Sequence, residues 1–173
     1  RKRAYETPGD GRQRGYTSMY VEHAVDVAQP DLKEFWHVGR ALDPEHPLHL
    51  SGEVPPNRFP DEIPAFEPVF QNLFDQMEDF ANRLLDAVGE YLELPENFFR
   101  DMVTDGNSII RVIHYPDLGG VKVPVGAVRA AAHEDINLIT VLPASTRPGL
   151  ELLTRDGEWM AVNAPPDVMV CDT

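Results

Sequence analysis

The stretch Ala130-Ala131-Ala132-His133-Glu134-Asp135-Ile136-Asn137-Leu138-Ile139-Thr140-Val141-Leu142 joins a run of small residues to an apolar run, with three ionisable side chains between them. Read as a β-strand, it places alternate side chains on one face, so His133 and Asp135 point together while Glu134 points away. An imidazole and a carboxylate that leave further coordination positions open suit non-haem Fe(II). The tripeptide alone carries little weight. A chain with 6 histidines in 173 residues and this much aspartate meets His-x-Asp by chance about half the time. A surface His-Asp pair without metal is the bland alternative, and the surrounding sequence has to decide.

Working outward, Ile109 to Tyr115, Ala127 to His133, Leu138 to Leu142, Leu150 to Leu153, Trp159 to Val162 and Val168 to Cys171 are short strand-like runs separated by Pro, Gly and Asp. Ahead of them Phe66, Phe70, Leu73, Phe74, Met77, Phe80, Ala81, Leu84, Leu85, Val88 and Leu92 recur every three or four residues, opposite an acidic face (Asp75, Glu78, Asp79, Asp86, Glu90). This spacing predicts a long amphipathic helix, and an aromatic stripe of this kind is core packing rather than a cofactor box. Pro95 opens a further short helix over ENFFRDMV. After Pro30, the segment Asp31 to Arg40 has Leu32, Phe35 and Trp36 at helical spacing and predicts another short helix. The six prolines of residues 43–64 predict an irregular, stiffened connection over the surface. Residues 1–18 read as a loop or a fraying helix end. Helices followed by a meander of strands indicate an α+β chain whose β part is a sandwich or barrel. Residues 1–173 read as one domain, with 1–106 mainly helix and loop and 107–173 forming strands.

The chain carries 15 basic against 29 acidic residues. That balance argues against binding a phosphate backbone or an anionic membrane surface. Five of the bases (Arg1, Lys2, Arg3, Arg12, Arg14) lie at the start, which reads as a solvated, poorly ordered end. The single cysteine, Cys171, excludes an internal disulfide, fits a reducing, cytoplasmic setting, and reads as a buried structural thiol. No apolar run reaches the length of a membrane span. A first residue of Arg1 instead of Met suggests that a natural start is missing.

Several segments, in order, resemble the isopenicillin N synthase-like group of Fe(II)- and 2-oxoglutarate-dependent oxygenases. Arg14-Gly15-Tyr16, Asp31-Leu32-Lys33-Glu34-Phe35 and Asn57-Arg58-Phe59-Pro60 are similar to its RGY, D-x-KE-x-F and N-x-[WF]-P segments. Arg111-Val112-Ile113-His114-Tyr115-Pro116 resembles its R-x-x-x-YP strand, and His133-Glu134-Asp135 with Leu138 to Leu142 resembles its H-x-D-x-x-x-LT-x-L metal strand. Gly149 to Leu152, Asp156 to Trp159 and Val168 to Thr173 follow in the family's order. The resemblance implies a double-stranded β-helix, jelly-roll-like, preceded by a long bracing helix. It also implies that His133 and Asp135 are two ligands of a two-His, one-carboxylate Fe(II) site. 2-Oxoglutarate then chelates the iron and is decarboxylated to succinate and CO2 as O2 oxidises a small-molecule substrate.

In the family a distal His completes the triad and an Arg-x-Ser pair meets the far carboxylate of 2-oxoglutarate, both at positions beyond Thr173. The chain is therefore expected to be an incomplete part of a larger protein, or else a truncated paralogue with two ligands only. Tyr115 stands where the family places a tyrosine that hydrogen-bonds 2-oxoglutarate; a core tyrosine is the alternative. Arg129 shares a face with His133 if the strand is regular, so it reads as a substrate-carboxylate partner or as a solvated strand-end arginine. Glu134 beside His133 suggests a zincin, but Asn137 breaks the H-E-x-x-H spacing. Two other functions stay open: an iron oxidase of the same fold that does not use 2-oxoglutarate, and a non-catalytic binding module. Oligomeric state is undetermined by sequence.

Overall fold

Residues 1–24 and 28–173 are described by the structure, a computed structural model. They divide into two compact units, Arg1–His133 and Glu134–Thr173.

The first unit is organised by a three-stranded antiparallel sheet of β1 (Gly15–Thr17), β2 (Glu34–Gly39) and β3 (Ile109–His114), with β2 in the middle. Trp36 stands opposite Tyr16 on one side and Val112 on the other, and His37 opposite Arg111. The short helix expected at Asp31 to Arg40 is thus a central strand. Leu32, Phe35 and Trp36 satisfy a helical period, but Phe35 to Gly39 is buried without interruption. A short run buried on both faces cannot be told from a helix by periodicity, and its aromatic and β-branched side chains favour the pleated state.

The long helix appears where the spacing predicts it, as α2 (Phe66–Tyr91), preceded by a single turn, α1 (Pro47–Leu50), and followed by α3 (Phe98–Val103). Its first aromatic residues are core, as expected. Phe66 lies 5.1 Å from Trp36 and 4.5 Å from Phe70 between ring centroids, and Tyr16, Trp36 and Val38 form the buried centre against which they pack. The proline-rich connection is irregular apart from α1, where Pro47 takes the first turn and His46 Nδ1 accepts from the Leu48 amide. It does not simply run over the surface, because Val54 is fully buried. Asn57 ties it to the end of β2 by accepting from the Gly39 amide and donating to the Gly39 carbonyl, both at 2.8 Å.

In the basic start Arg1, Lys2 and Arg3 are exposed as expected, but Arg14 is part of the core. Two 3-10 turns (Lys2–Tyr5 and Pro8–Asp10) lead into β1. Arg14 has no exposed surface; it donates to the Gln13 carbonyl at 2.8 Å and to Asn107 Oδ1 at 2.7 Å. Burial pulls its pKa down to about 10. The guanidinium lies flat on Gly39, where an added Cβ would stand 2.0 Å from Arg14 Cζ, so only glycine fits.

The second unit has two antiparallel pairs. β5 (Leu150–Leu153) and β6 (Trp159–Val162) form a hairpin, and β4 (Thr140–Leu142) pairs with β7 (Val170–Asp172). These match the expected strand runs. The strand expected from Ala127 to His133 does not form, and residues 127–139 contain neither helix nor strand. Their backbone is held differently: Leu32 N–H donates to the Val128 carbonyl at 3.0 Å, and Ala131 N–H donates to the Asp31 carboxylate at 2.9 Å. Cys171, expected to be buried, is exposed on β7.

Candidate metal centre

His133 is the last residue of the first unit, and Asp135 is the second residue of the next. Since neither lies in a strand, alternation does not orient them; local hydrogen bonds do. His133 Nδ1 is 2.8 Å from the Ala131 carbonyl oxygen. A carbonyl only accepts, so Nδ1 carries the proton and Nε2 the lone pair, the tautomer that ligates a metal through Nε2. Asp135 Oδ2 accepts from Thr140 Oγ1 at 2.5 Å, and Thr140 Oγ1 accepts in turn from Asn137 Nδ2 at 2.8 Å. The threonine of the LT-x-L segment is therefore a brace for the carboxylate.

An imidazole of fixed tautomer and a carboxylate held by a hydroxyl have the donor chemistry and the outer-shell support of an Fe(II) site. Among the described residues no group of three or more His, Cys, Asp or Glu converges to hold a metal. Glu134 is exposed. Tyr115 follows β3 directly and is 43% exposed, so it is not the core tyrosine of the alternative reading. Arg129 is exposed and donates through Nη1 to the Pro116 carbonyl at 3.0 Å. With the strand at 127–133 absent, the face shared by Arg129 and His133 is lost as an argument.

Behind Ala131 lies a set of charges that sequence reasoning left without a role. Lys33 Nζ sits 2.8 Å from Asp31 and 2.8 Å from Glu22, with only 4% of the Lys33 and Asp31 side chains exposed. Burial disfavours the ammonium, but the hydrogen bonds to Asp31 and Glu22 outweigh it and hold the Lys33 pKa above its ordinary value. Glu22 also pairs with Arg111 at 3.1 Å, and Arg111 Nε donates to His37 Nε2 at 2.8 Å. His37 Nδ1 donates to the Arg12 carbonyl at 2.8 Å. Burial, with Arg111 adding to it, pushes the His37 pKa down to about 4, so the ring is neutral. The signal in the sequence was the pair of charges, Asp31 and Lys33, bracketing Leu32 at the entry to a buried run.

No family model matches the chain. It is 27% identical over 172 residues to the proline hydroxylase buaE of Petromyces alliaceus, covering 95% of the chain and 51% of that protein. It is 30% identical over 183 residues to the 2-oxoglutarate-dependent dioxygenase imqE of Aspergillus flavus, covering 88% of the chain and 48% of that protein. A 2OG-Fe(II) oxygenase family protein from Caulobacter crescentus superposes with a TM-score of 0.83 at 40% identity, over 99% of the chain and 54% of that structure. These relatives are 2-oxoglutarate-Fe(II) oxygenases, which supports the likeness to the isopenicillin N synthase-like family. The chain spans about half the length of the relatives it matches. Neurospora crassa T7H in complex with alpha-KG superposes with a TM-score of 0.76 at 26% identity, over 99% of the chain and 52% of that structure. His133 and Asp135, expected from the sequence to be the H-x-D pair, are each held by a hydrogen bond.

Proposed function

We propose that this chain builds part of an oxygenase that uses Fe(II), 2-oxoglutarate and O2 to oxidise a small molecule, releasing succinate and CO2. The observation that carries the reading is the H-x-D pair, each member braced by its own hydrogen bond, in a chain that superposes over 99% of its length on a 2OG-Fe(II) oxygenase family protein. His133 and Asp135 would hold the iron through Nε2 and the carboxylate. The metal, when bound, supplies O2 activation coupled to decarboxylation of the cosubstrate. The protein's own part is positional: Ala131 aims the imidazole and Thr140 aims the carboxylate. Tyr115 is assigned a hydrogen bond to 2-oxoglutarate. The paired strands of the second unit are read as part of a double-stranded β-helix.

Structures of the Neurospora relative contain alpha-KG alone and alpha-KG with thymine or 5-formyluracil, which supports a small-molecule substrate and favours 2-oxoglutarate over an oxidase that dispenses with it. The test is succinate formation from 2-oxoglutarate by the purified intact protein, with a panel of small molecules that includes pyrimidine bases. Turnover should require Fe(II) and fall at least a hundredfold in His133→Ala. Absence of Fe(II)-dependent succinate under every condition would refute the proposal.

A further inference from the structure

We propose that Asp31, clamped by Lys33, is the positioning residue for the iron ligand His133 and acts through Ala131; the inference rests on the iron site proposed above. Asp31 and Lys33 lie in the first unit and are 3% and 5% exposed, and Ala131 is 8% exposed. One carboxylate oxygen of Asp31 accepts the Ala131 amide at 2.9 Å, and the other pairs with Lys33 at 2.8 Å. Ala131 then presents its carbonyl to His133 Nδ1 at 2.8 Å. Among the described residues the segment that carries His133 has no strand partners, and its backbone is pinned from residues 31–32 at two points, Val128 and Ala131. Tilting the Ala131 peptide would swing the carbonyl that sets the tautomer and direction of the imidazole. Outer-shell partners of metal-ligating histidines act in this way, and their loss weakens metal affinity about 10- to 100-fold.

Lys33 makes the carboxylate a fixed point. Its second partner, Glu22, reaches Arg111 of β3, and Arg111 reaches His37 at the centre of the sheet. The relay thus runs from the middle of the fold to a loop that would otherwise be tied weakly. A pair serving stability alone would leave the metal affinity and spectrum of the folded protein unchanged, and this separates the two roles.

The isosteric variant Asp31→Asn offers one carbonyl oxygen where two donors, the Lys33 ammonium and the Ala131 amide, need an acceptor. The charged donor takes it, and the Ala131 N–H loses its partner. The intact protein, stripped of metal, is titrated anaerobically with Fe(II) and, for its visible bands, with Co(II), alongside His133→Ala and the double variant Asp31→Asn/Lys33→Met. Asp31→Asn should bind about 10-fold more weakly and shift the Co(II) bands at saturation. The double variant, with the competing ammonium gone, should return to within about threefold of wild type. Asp31→Asn binding within twofold of wild type with unchanged bands would overturn the proposal, as would equal weakening in the single and double variants. If Asp31→Asn does not fold, the 15N shifts of His133 in the metal-free wild type decide: a protonated Nδ1 supports the relay and a protonated Nε2 overturns it. Absence of metal binding by the wild type would instead sink the iron-site reading itself.

Discussion

Replacing Lys33 by Met removes the only cation within salt-bridge distance of Asp31 among the described residues and leaves that carboxylate, 4% exposed, with the Ala131 amide alone. Breaking a buried ion pair from one side costs about 3–5 kcal/mol, because the stranded charge keeps its desolvation penalty without its compensation. For a chain of this length each kcal/mol moves the melting temperature by roughly 2–4 °C, so Lys33→Met should lower Tm by about 6–20 °C. Arg83→Ala is the control: Arg83 pairs with Asp79 one helical turn away, but the two side chains are 73% and 59% exposed. Its loss should cost about 0.5 kcal/mol or less. Urea unfolding of both variants at neutral pH gives the comparison, and adding Asp31→Asn to Lys33→Met should recover part of the loss by deleting the stranded charge. If Lys33→Met and Arg83→Ala fall within about 1 kcal/mol of each other, the resolution of such a comparison, the buried network does not hold the loop as described.

His37 has a folded pKa of about 4 against an ordinary 6.5, so its contribution is fully present above pH about 6.5 and is lost as pH falls toward 4, by up to about 3 kcal/mol; histidine 15N NMR should show no protonation of His37 in the folded protein above pH about 5. Glu34 behaves in the same direction lower down: although burial opposes its charge, hydrogen bonds from Lys2, Tyr16 and His114 pull its pKa to about 2, so its contribution is lost as pH falls from about 4.5 toward 2 and Glu34→Gln should flatten that limb of the acid-unfolding curve. Gly39→Ala should cost about 1–3 kcal/mol or more in urea unfolding, since the new Cβ meets a guanidinium pinned from both ends, whereas Gly9→Ala, with nothing within 4 Å, should be near neutral. Tyr115→Phe should raise the KM for 2-oxoglutarate about 2- to 10-fold with kcat retained, as loss of one hydrogen bond predicts.

Where one physical signal dominated, the sequence was legible. The long helix followed from a three-four spacing sustained from Phe66 to Leu92, and β3, β5 and β6 from short apolar runs fenced by turn residues. The central strand β2 was misread because burial on both faces erases the alternation that marks a strand, while Leu32, Phe35 and Trp36 happen to satisfy a helical period. The loop from 127 to 133 was misread for the opposite reason. Its composition suits a strand, but the Ala131 amide is taken by a carboxylate a hundred positions away, a partner no local pattern reveals. Likewise Arg14 could not be told from its solvated neighbours, because it finds its place against Gly39 and Asn107 through tertiary contacts. The candidate ligands His133 and Asp135 were legible as a motif. What holds His133 was not, because the Asp31 carboxylate and the His133 ring meet through the amide and carbonyl of Ala131, which carry no sequence signature of their own.

The central claim is that His133 and Asp135 hold Fe(II) to which 2-oxoglutarate binds, and anaerobic visible absorption tests it most directly. Adding Fe(II) and then 2-oxoglutarate to the intact wild-type protein should produce a weak charge-transfer band that saturates at one equivalent of metal, and His133→Ala and Asp135→Ala should abolish it. A wild-type protein that gives no band, or a band of undiminished intensity in both variants, would contradict the account.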